Sequence, residues 1–259
     1  MKSMRLEKIR EQLKTKFIGH EINYLSEITS TNDVAKELAA NGAKEGTVVF
    51  AETQTQGKGR LGRRWLSPRG GLWFSVVLRP KIPAKDSYQL TFMAAVAVAK
   101  TIRKMFNVDA EIKWPNDVLV NEKKVCGILT ETSIRGDVVD FAVIGVGVNA
   151  NVDLTSFPEE LRASVTSLDS EVKGVVDRER FLCALLEELE NYYEMVLQRR
   201  FALVLEEWKS LTTLFGTDVE VTSFEGRIKG VASGIDRNGA LEVLLKNGTV
   251  RKISTGDVV

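Results

Sequence analysis

Phe141–Val148, near the middle of the chain, reads FAVIGVGV and contains no charged or hydrogen-bonding side chain. A strand that is apolar on both faces has to be covered on both faces, which is typical of the centre of a layered sheet. Helical patterns over Asp86–Lys104 and Arg178–Arg199 can supply the covering layers. The sequence therefore predicts an α+β fold in which a mixed β-sheet is backed by helices.

The pattern changes near Gly216, where short strand-like segments separated by tight turns replace the helices. Asn238-Gly239 and Asn247-Gly248 are hairpin dipeptides, and Glu225-Gly226 is a third predicted turn. These features predict a small C-terminal β-barrel of the SH3-like type. We therefore expect two domains, a larger one over residues 1–212 and the small barrel over residues 213–259.

Composition excludes several classes of protein. Lys and Arg number 36 and Asp and Glu number 35, and a net charge of +1 argues against a generally basic nucleic-acid-binding coat. Two distant cysteines and the single His20 exclude a disulfide framework and a Cys/His zinc site. No apolar run approaches the roughly 18 residues of a membrane span, and the N-terminus lacks a secretory apolar segment. We expect a cytoplasmic protein with no membrane partner.

One stretch departs from this balance. Thr53–Lys85 contains no acidic residue but carries eight basic residues and several glycines. Within it, Gly57–Gly62 matches the pattern GxGxxG, but Pro68 and the pair Gly70-Gly71 follow and exclude the helix that a dinucleotide-binding motif must open. The stretch is either a solvated basic loop or a flexible glycine loop that meets a polyanion with its backbone and its cations. Its tryptophan and leucines favour the second interpretation.

Three further segments carry polar groups at turns or strand ends. Lys113-Trp-Pro-Asn-Asp117 ends a strand, and the hairpin spacing could bring Lys113 and Asp117 close to Lys124. Ser30-Thr-Asn32 has more polar groups than one helix cap needs. The glycines of Gly145-Val-Gly-Val-Asn149 would let a ligand or backbone come close. An ordinary hairpin with exposed charges and an ordinary helix cap remain the alternatives.

Taken in order, these motifs resemble those of the biotin–protein ligases over about residues 22–259. The motifs are Ile28-Thr-Ser-Thr-Asn-Asp33, Glu52-Thr-Gln-Thr-Gln-Gly-Lys-Gly-Arg-Leu-Gly-Arg63, Arg64-Trp-Leu-Ser-Pro68, Lys113-Trp-Pro-Asn-Asp117, Lys124-Val-Cys-Gly-Ile-Leu-Thr-Glu131 and Gly145-Val-Gly-Val-Asn149. The resemblance implies a catalytic domain like that of class II synthetases. It also implies an enzyme that makes biotinyl-5′-AMP from biotin and ATP, then transfers biotin to a lysine of a biotin carboxyl carrier domain.

The resemblance also implies roles for individual residues. It assigns biotin binding to Ser30, Thr31, Asn32, Gln54, Trp65, Gly127 and Leu129. It assigns ATP and adenylate binding to Gly57, Lys58, Gly59, Arg60, Arg63, Asn116 and Asn149. It assigns catalysis to Lys124, Arg60 and Asp117. Lys58 replaces the arginine usual in the family, so the charge is kept while the bidentate fork is lost.

The chemistry agrees with those roles. Attack of a carboxylate on an α-phosphate brings two anions together, so cations must stabilise the transition state. Lys124 and Arg60 are the candidates, together with Mg²⁺ on the phosphates, for which the sequence assigns no ligands. In the second step a carrier lysine must lose a proton, and Asp117 would orient the amine or accept that proton.

Two other functions fit part of the pattern. A lipoate–protein ligase would share the fold and the adenylate chemistry, but the basic loop and Lys113-Trp-Pro-Asn-Asp117 favour biotin. Some relatives are DNA-binding repressors with an additional N-terminal helix-turn-helix domain of about 60 residues. About 20 residues precede the catalytic match here, so we expect no nucleic-acid partner. We also expect a homodimer, as is common among relatives without that domain.

Overall fold

The computed structural model describes residues 3–223 and 226–258 of the chain. Its larger sheet has seven strands in the order β1-β2-β3-β7-β6-β5-β4. The strands are β1 (Ile22–Ile28), β2 (Val48–Gln54), β3 (Leu72–Leu78), β4 (Ala110–Lys113), β5 (Asp117–Val120), β6 (Lys123–Arg135) and β7 (Val138–Val148). The β1–β2 pair is parallel and the other ladders of this sheet are antiparallel, so the predicted mixed sheet is confirmed.

The predicted central strand is β7, which pairs with β3 on one side and β6 on the other. Its apolar residues have partners on both faces of the sheet: Ile144, Val146 and Val148 join the main core, while Val143 packs in a second cluster with residues of α2 (Thr31–Ala40). This two-sided burial explains why the stretch is apolar without alternation.

Helices cover both faces of the sheet. The other helices are α1 (Leu6–Gln12), α3 (Tyr88–Phe106), α4 (Glu159–Arg162), α5 (Leu168–Val172), α6 (Arg178–Leu197) and α7 (Phe201–Ser210). The run Met93–Ala99 of α3 is fully buried, because its alanines and valines allow close approach to the sheet and to α6. The first helix ends earlier than the spacing of Leu6, Ile9, Leu13 and Phe17 suggests.

An ion pair anchors the end of β2 beside the cavity described below. Glu52 is fully buried and accepts hydrogen bonds from Arg178 at 2.9 Å and from the backbone of Met4 at 3.0 Å. Burial would raise the pKa of Glu52, but Arg178 and the Met4 amide hold it below its usual value, so the carboxylate stays ionised. A charged pair that is removed from water in this way fixes the strand two residues before Gln54.

The C-terminal sheet has five strands in the order β11-β10-β9-β8-β12, and all its ladders are antiparallel. The strands are β8 (Asp218–Ser223), β9 (Gly226–Ile235), β10 (Leu241–Leu244), β11 (Val250–Ile253) and β12 (Asp257–Val258). A small β unit after the helices is therefore confirmed. Glu225, in the predicted turn Glu225-Gly226, lies outside the described residues, as do Phe224 and Val259. The domain boundary at 212/213 stays a prediction.

The turn between β9 and β10 fastens this sheet to the larger domain. Trp114 Nε1 donates a buried hydrogen bond of 3.0 Å to the carbonyl of Gly239. A Cβ atom at Gly239 would lie 2.9 Å from the ring of Phe92, so only glycine lets the turn approach so closely. In the described part of the chain, no helix combines the length and the apolar character that crossing a membrane requires.

Candidate active site

A cavity of about 710 Å³, including its open mouth, lies on the side of the larger sheet that carries α2. Strands β6 and β7 form its floor, the start of α2 forms one wall, and the loop 55–67 covers it. Among the predicted site residues, only Gly57 and Asn149 are absent from the lining. The lining therefore includes Ser30, Thr31, Asn32, Gln54, Lys58, Gly59, Arg60, Arg63, Trp65, Asn116, Asp117, Lys124, Gly127 and Leu129.

Glycines on β6 and β7 make the floor, but side chains of the protein lie on them. Gly127 and Gly147 are direct neighbours across the β6–β7 ladder. A Cβ atom at Gly147 would lie 2.5 Å from Trp65 Nε1, and one at Gly127 would lie 2.8 Å from Trp65 Cζ3. Gly145 leaves the corresponding space for Asn32. These glycines thus let the indole of Trp65 lie flat on the sheet and form an apolar wall.

The polar residues at the start of α2 are not used as a helix cap. Ser30 occupies the N-cap position but makes no capping side-chain hydrogen bond. Thr31 donates through its backbone and its hydroxyl to Gln54 Oε1, at 2.7 and 3.1 Å. Ser75 Oγ, on β3, lies 2.6 Å from Asn32 Oδ1, which accepts its hydrogen, and 2.8 Å from the hydroxyl of Thr31. A buried network of neutral hydrogen-bonding groups therefore lines this end of the cavity.

The glycine loop folds as a compact hairpin. Gly59 donates to the carbonyl of Arg63 at 2.7 Å, and Trp65 donates to the carbonyl of Gly57 at 2.8 Å. Leu61 adopts φ 54°, in the left-handed region. The prediction that no helix follows GxGxxG is confirmed, because residues 63–71 contain none and the one helical turn, Arg60–Gly62, lies within the motif itself.

Two cations of the loop meet the last strand of the chain. Arg60 Nη1 lies 2.9 Å from Asn116 Oδ1, 3.2 Å from the carbonyl of Gly256 and 3.1 Å from Asp257 Oδ1. Arg63 Nη2 lies 2.7 Å from Asp257 Oδ2. Burial lowers the pKa of Arg60, opposed by the charges of Asp257 and Asp117, but a guanidinium stays protonated in proteins.

Lys124 and Asp117 lie together at the cavity floor, as the hairpin spacing suggests. Lys124 Nζ is 2.7 Å from Asp117 Oδ2 and 5.2 Å from the centre of the Trp65 ring. Asp117 Oδ1 is buried and has no hydrogen-bond partner among the described residues. Lys113 faces Asp117 across the β4–β5 ladder but does not line the cavity, so the predicted convergence holds for two of the three residues.

Three further predicted site residues, Asn116, Asn149 and Gly57, are buried. Asn116 is buried and donates from Nδ2 to the carbonyl of Ile128 at 2.8 Å, which leaves its Oδ1 for Arg60. Asn149 is buried beyond the cavity wall and donates to the carbonyl of Thr166 at 3.0 Å, while its Oδ1 has no partner among the described residues. Gly57 is buried inside the loop hairpin. The roles assigned to Asn149 and Gly57, like those assigned to the residues that line the cavity, stay predictions.

Besides Arg64, which the sequence analysis named only within a motif, Asp257 is a charged lining residue that sequence reasoning missed. It belongs to the short strand β12, which no apolar pattern marks, and it reaches the cavity because the C-terminal sheet docks there. Ser75 was also missed, since a single serine within an apolar strand carries no distinctive signal.

The charged groups limit how a metal ion could be held. Within residues 3–223 and 226–258, no three His, Cys, Asp or Glu side chains cluster to form a metal site. Asp117 lines the cavity, and its buried Oδ1 has no hydrogen-bond partner among the described residues. Mg²⁺ commonly uses one or two carboxylates together with the phosphates of its substrate. The site therefore fits a magnesium ion that arrives with a nucleotide, and does not fit a metal caged by the protein alone.

Comparison with known proteins defines the class. Residues 24–149 match the model of the Biotin/lipoate A/B protein ligase family, and residues 214–259 match the Biotin protein ligase C terminal domain. The Bifunctional ligase/repressor BirA of Bacillus subtilis is 39% identical over 96% of this chain and 77% of its own length. The Biotin--[acetyl-CoA-carboxylase] ligase of Mycobacterium tuberculosis is 33% identical over 97% of this chain and 93% of its own.

A solved structure agrees with these matches. The biotin protein ligase from Aquifex aeolicus, in complex with biotin and ATP, superimposes with a TM-score of 0.80. It is 30% identical, and the match covers 93% of this chain and 98% of that one. The fold and the site thus define a protein ligase of the biotin/lipoate class. Within that class, the chain belongs to the biotin–protein ligase family, so the resemblance seen in the sequence is confirmed.

Proposed function

We propose that this chain activates biotin with ATP to form biotinyl-5′-AMP and transfers the biotinyl group to a lysine of a biotin carboxyl carrier domain. The observation that carries the proposal is the division of one cavity into two ends. Neutral hydrogen-bonding groups of Thr31 and Gln54 lie at one end, and the cations Lys124 and Arg60 lie at the other. A ligand with a neutral polar head and an anionic tail, joined to a nucleotide, matches this division.

The neutral end suits the ureido ring of biotin. Ser30, Thr31, Asn32 and Gln54 are donors and acceptors without charge, and a ureido group needs both kinds of partner. The indole of Trp65 on the glycine floor offers apolar surface for the rest of the molecule. Burial of that surface contributes about 25 cal/mol per Å² to binding.

The cationic end suits the first chemical step. A biotin carboxylate oxygen attacks the α-phosphorus of ATP, a bond forms between them, and the bond to the β-phosphate oxygen breaks. Pyrophosphate leaves with the electron pair. Lys124 and Arg60 stabilise the negative charge that gathers at the reacting groups, and no nucleophilic side chain is needed. Mg²⁺, when bound to ATP and held by Asp117, would neutralise phosphate charge.

In the second step, the amine of the carrier lysine attacks the carbonyl carbon of biotinyl-AMP. An amide bond forms, and AMP leaves with the electron pair of the broken anhydride bond. The attacking amine is protonated at neutral pH, with a free pKa of about 10.4, so a proton must be removed. Asp117 lies 2.7 Å from Lys124 in the cavity lining, and its carboxylate can orient the amine or accept its proton.

The position of Asn149 supports a nucleotide nearby. Its buried Oδ1 has no donor among the described residues, and an unsatisfied buried acceptor costs about 1–3 kcal/mol. The exocyclic amine of adenine is a donor of the required kind. We therefore assign the adenine to the neighbourhood of Asn149.

Partner and assembly follow from the same proposal. The carrier domain belongs to a biotin-dependent carboxylase, in line with relatives named as acetyl-CoA-carboxylase ligases. We assign the enzyme to the cytoplasm as a homodimer without a nucleic-acid partner. Light scattering after size exclusion and a DNA-binding titration test the last two assignments.

Pyrophosphate release tests the activation step and separates biotin from lipoate. The enzyme is mixed with ATP and Mg²⁺ and with either biotin or lipoate, and pyrophosphate is measured over one turnover. We expect a burst with biotin and none with lipoate. A burst with lipoate alone would assign the chain to the lipoate ligases.

A further inference from the structure

The ammonium group of Lys58 is engaged by a carboxylate of α2. Lys58 Nζ lies 2.6 Å from Asp33 Oδ1, in the first turn of the helix. The two side chains are 43% and 36% exposed, at the rim of the cavity rather than in its interior. Lys58 therefore connects the loop 55–67 to the wall that carries Ser30, Thr31 and Asn32.

Asp33 is itself part of a longer chain of charges. Lys36 Nζ lies 3.3 Å from Asp33 Oδ1 and 2.6 Å from Glu131 Oε1. Glu131 Oε2 accepts a hydrogen bond of 2.8 Å from Asn32 Nδ2, and Asn32 lines the cavity. Burial would raise the pKa of Asp33, but Lys58 and Lys36 hold it below its usual value, so Asp33 stays ionised at neutral pH. The loop and the neutral end of the cavity are thus linked by consecutive polar contacts.

On the opposite side, the same loop is held by the C-terminal strand. Arg60 and Arg63 contact Asp257, while Lys58 contacts Asp33. The hydrogen bonds between Gly59 and Arg63 and between Trp65 and Gly57 lie within the loop and do not attach it to anything else. The loop is also attached where Thr55 and Gln56 donate to the carbonyls of Ile28 and Thr29, and where Trp65 packs on the glycines of the floor. Glycine-rich backbone gains much entropy when it opens, so the contacts at its two sides add to these in keeping the loop over the cavity.

We propose that Lys58 and Asp33 form a latch that keeps the loop closed over biotinyl-AMP, so that Lys58 is a positioning residue and not a ligand of the phosphates. The inference rests on the proposed function and concerns how the intermediate is retained. It also accounts for lysine at this position. A single contact to one carboxylate oxygen needs a charge at the end of a flexible stem and does not need the bidentate fork of arginine.

A double-mutant cycle tests the latch. The variants are Asp33→Asn, Lys58→Met and the double variant, and the half-life of enzyme-bound biotinyl-AMP is measured after free ligand is removed. Exposed ion pairs contribute about 0.2–1 kcal/mol, so each single variant should shorten the half-life by up to about fivefold. The double variant should lose no more than the single variants, and Lys58→Arg should restore retention.

A distant pair of similar exposure provides the control. Lys100 Nζ lies 2.8 Å from Glu207 Oε2, between α3 and α7, with side chains 39% and 43% exposed. Lys100→Met should leave the half-life of biotinyl-AMP unchanged. If it shortened the half-life as much as Lys58→Met does, the effect would be one of general stability and the latch would be wrong.

A second readout does not depend on activity. Tryptic cleavage after Arg63 and Arg64 in the full chain without ligand reports how often the loop opens. Asp33→Asn should raise the cleavage rate by the same factor by which it shortens the half-life. If Asp33→Asn is cleaved at the wild-type rate, the latch is wrong, even if the enzyme makes biotinyl-AMP. If Asp33→Asn is cleaved faster but the enzyme makes no biotinyl-AMP, only the proposed function is refuted.

Two outcomes of the cycle would also overturn the inference. If the double variant shortens the half-life of biotinyl-AMP by the product of the two single effects, Lys58 and Asp33 act independently. Slow pyrophosphate formation in Lys58→Met, combined with a wild-type half-life in Asp33→Asn, would show that Lys58 acts on the phosphates.

Discussion

Arg60 Nη1 lies 3.1 Å from Asp257 Oδ1, which joins the glycine loop of the larger domain to the last strand of the C-terminal sheet. Arg60, which the sequence resemblance assigns to adenylate binding, therefore lies beside a carboxylate almost 200 positions later in the chain. The cavity is therefore closed by residues of both sheets.

Replacement of Arg60 should loosen the retention of biotinyl-AMP. Arg60→Gly removes the contacts to Asn116, Gly256 and Asp257 and adds backbone freedom to the loop. The activated intermediate should then escape and acylate lysines of unrelated proteins. Labelling of a bystander protein, measured by streptavidin blot, should increase relative to wild type.

Arg69→Gly is the control for that prediction, because Arg69 is exposed, belongs to the same basic stretch and does not line the cavity. Absence of bystander labelling in Arg60→Gly, together with a wild-type half-life of the bound intermediate, would show that the loop does not retain it.

Replacement of Lys124 should abolish most adenylate formation while the fold stays intact. Lys124→Ala removes the ammonium that lies between Asp117 and the face of Trp65. Loss of one preorganised charge at a reacting oxyanion costs about 100- to 1,000-fold in rate. Biotin-dependent pyrophosphate release measures the loss.

The neighbouring Lys123 is exposed and lies outside the cavity lining, so Lys123→Ala should keep the wild-type rate. A near-normal rate in Lys124→Ala would remove that residue from the catalytic assignment.

A methyl group on the cavity floor should displace Trp65. In Gly147→Ala the new Cβ would lie 2.5 Å from Trp65 Nε1, so the indole has to move. Overpacking of this kind costs about 1–3 kcal/mol, and biotin affinity should fall by roughly five- to 150-fold. Calorimetric titration with biotin measures the change.

Gly174→Ala is the matched substitution at an open position, where the nearest atom to a new Cβ is 3.9 Å away. Its biotin affinity should equal that of the wild type. If Gly147→Ala also binds biotin with wild-type affinity, the indole of Trp65 does not form an apolar wall of the biotin site.

Docking of the C-terminal sheet should matter more for ATP use than for biotin binding. Gly239→Ala places a Cβ atom 2.9 Å from the ring of Phe92, at the turn that accepts the hydrogen bond of Trp114. The sheet should shift, and with it Asp257 and the loop cations. Pyrophosphate release should slow while the affinity for biotin changes less.

Gly248→Ala separates docking from backbone strain. Both glycines have positive φ, 77° and 82°, but nothing lies within 4 Å of a Cβ atom at Gly248. If Gly248→Ala slows pyrophosphate release as much as Gly239→Ala does, strain within the sheet rather than its docking explains the effect.

Sequence patterns predicted the fold well where burial is two-sided. The predicted central strand, Phe141–Val148, lies within β7 (Val138–Val148), and its apolar residues are covered on both faces of the sheet. Strand β1 was missed because Asn23, Ser26 and Glu27 interrupt its apolar pattern at the edge of the sheet. An edge strand pairs on one side only, so its sequence is less constrained.

The candidate site was predicted from motifs, but its contacts were not. The glycines of β7 were expected to let a ligand or a backbone segment come close, and they instead admit the side chains of Trp65 and Asn32, which line the cavity. Asp257 could not be found because its place depends on how the two sheets dock. Spacing along the chain identifies residues that share a hairpin, whereas contacts between distant segments depend on packing.

The central claim is most directly tested by following biotin from ATP activation to the carrier lysine. The enzyme is incubated with biotin, ATP and Mg²⁺, freed of small molecules, and analysed for bound biotinyl-AMP by mass spectrometry; a carrier domain is then added without ATP. We predict one bound biotinyl-AMP per site and, after addition, a carrier heavier by one biotinyl group on a single lysine, with release of AMP. Pyrophosphate without a bound intermediate, or a bound intermediate that never reaches the carrier, would contradict the account.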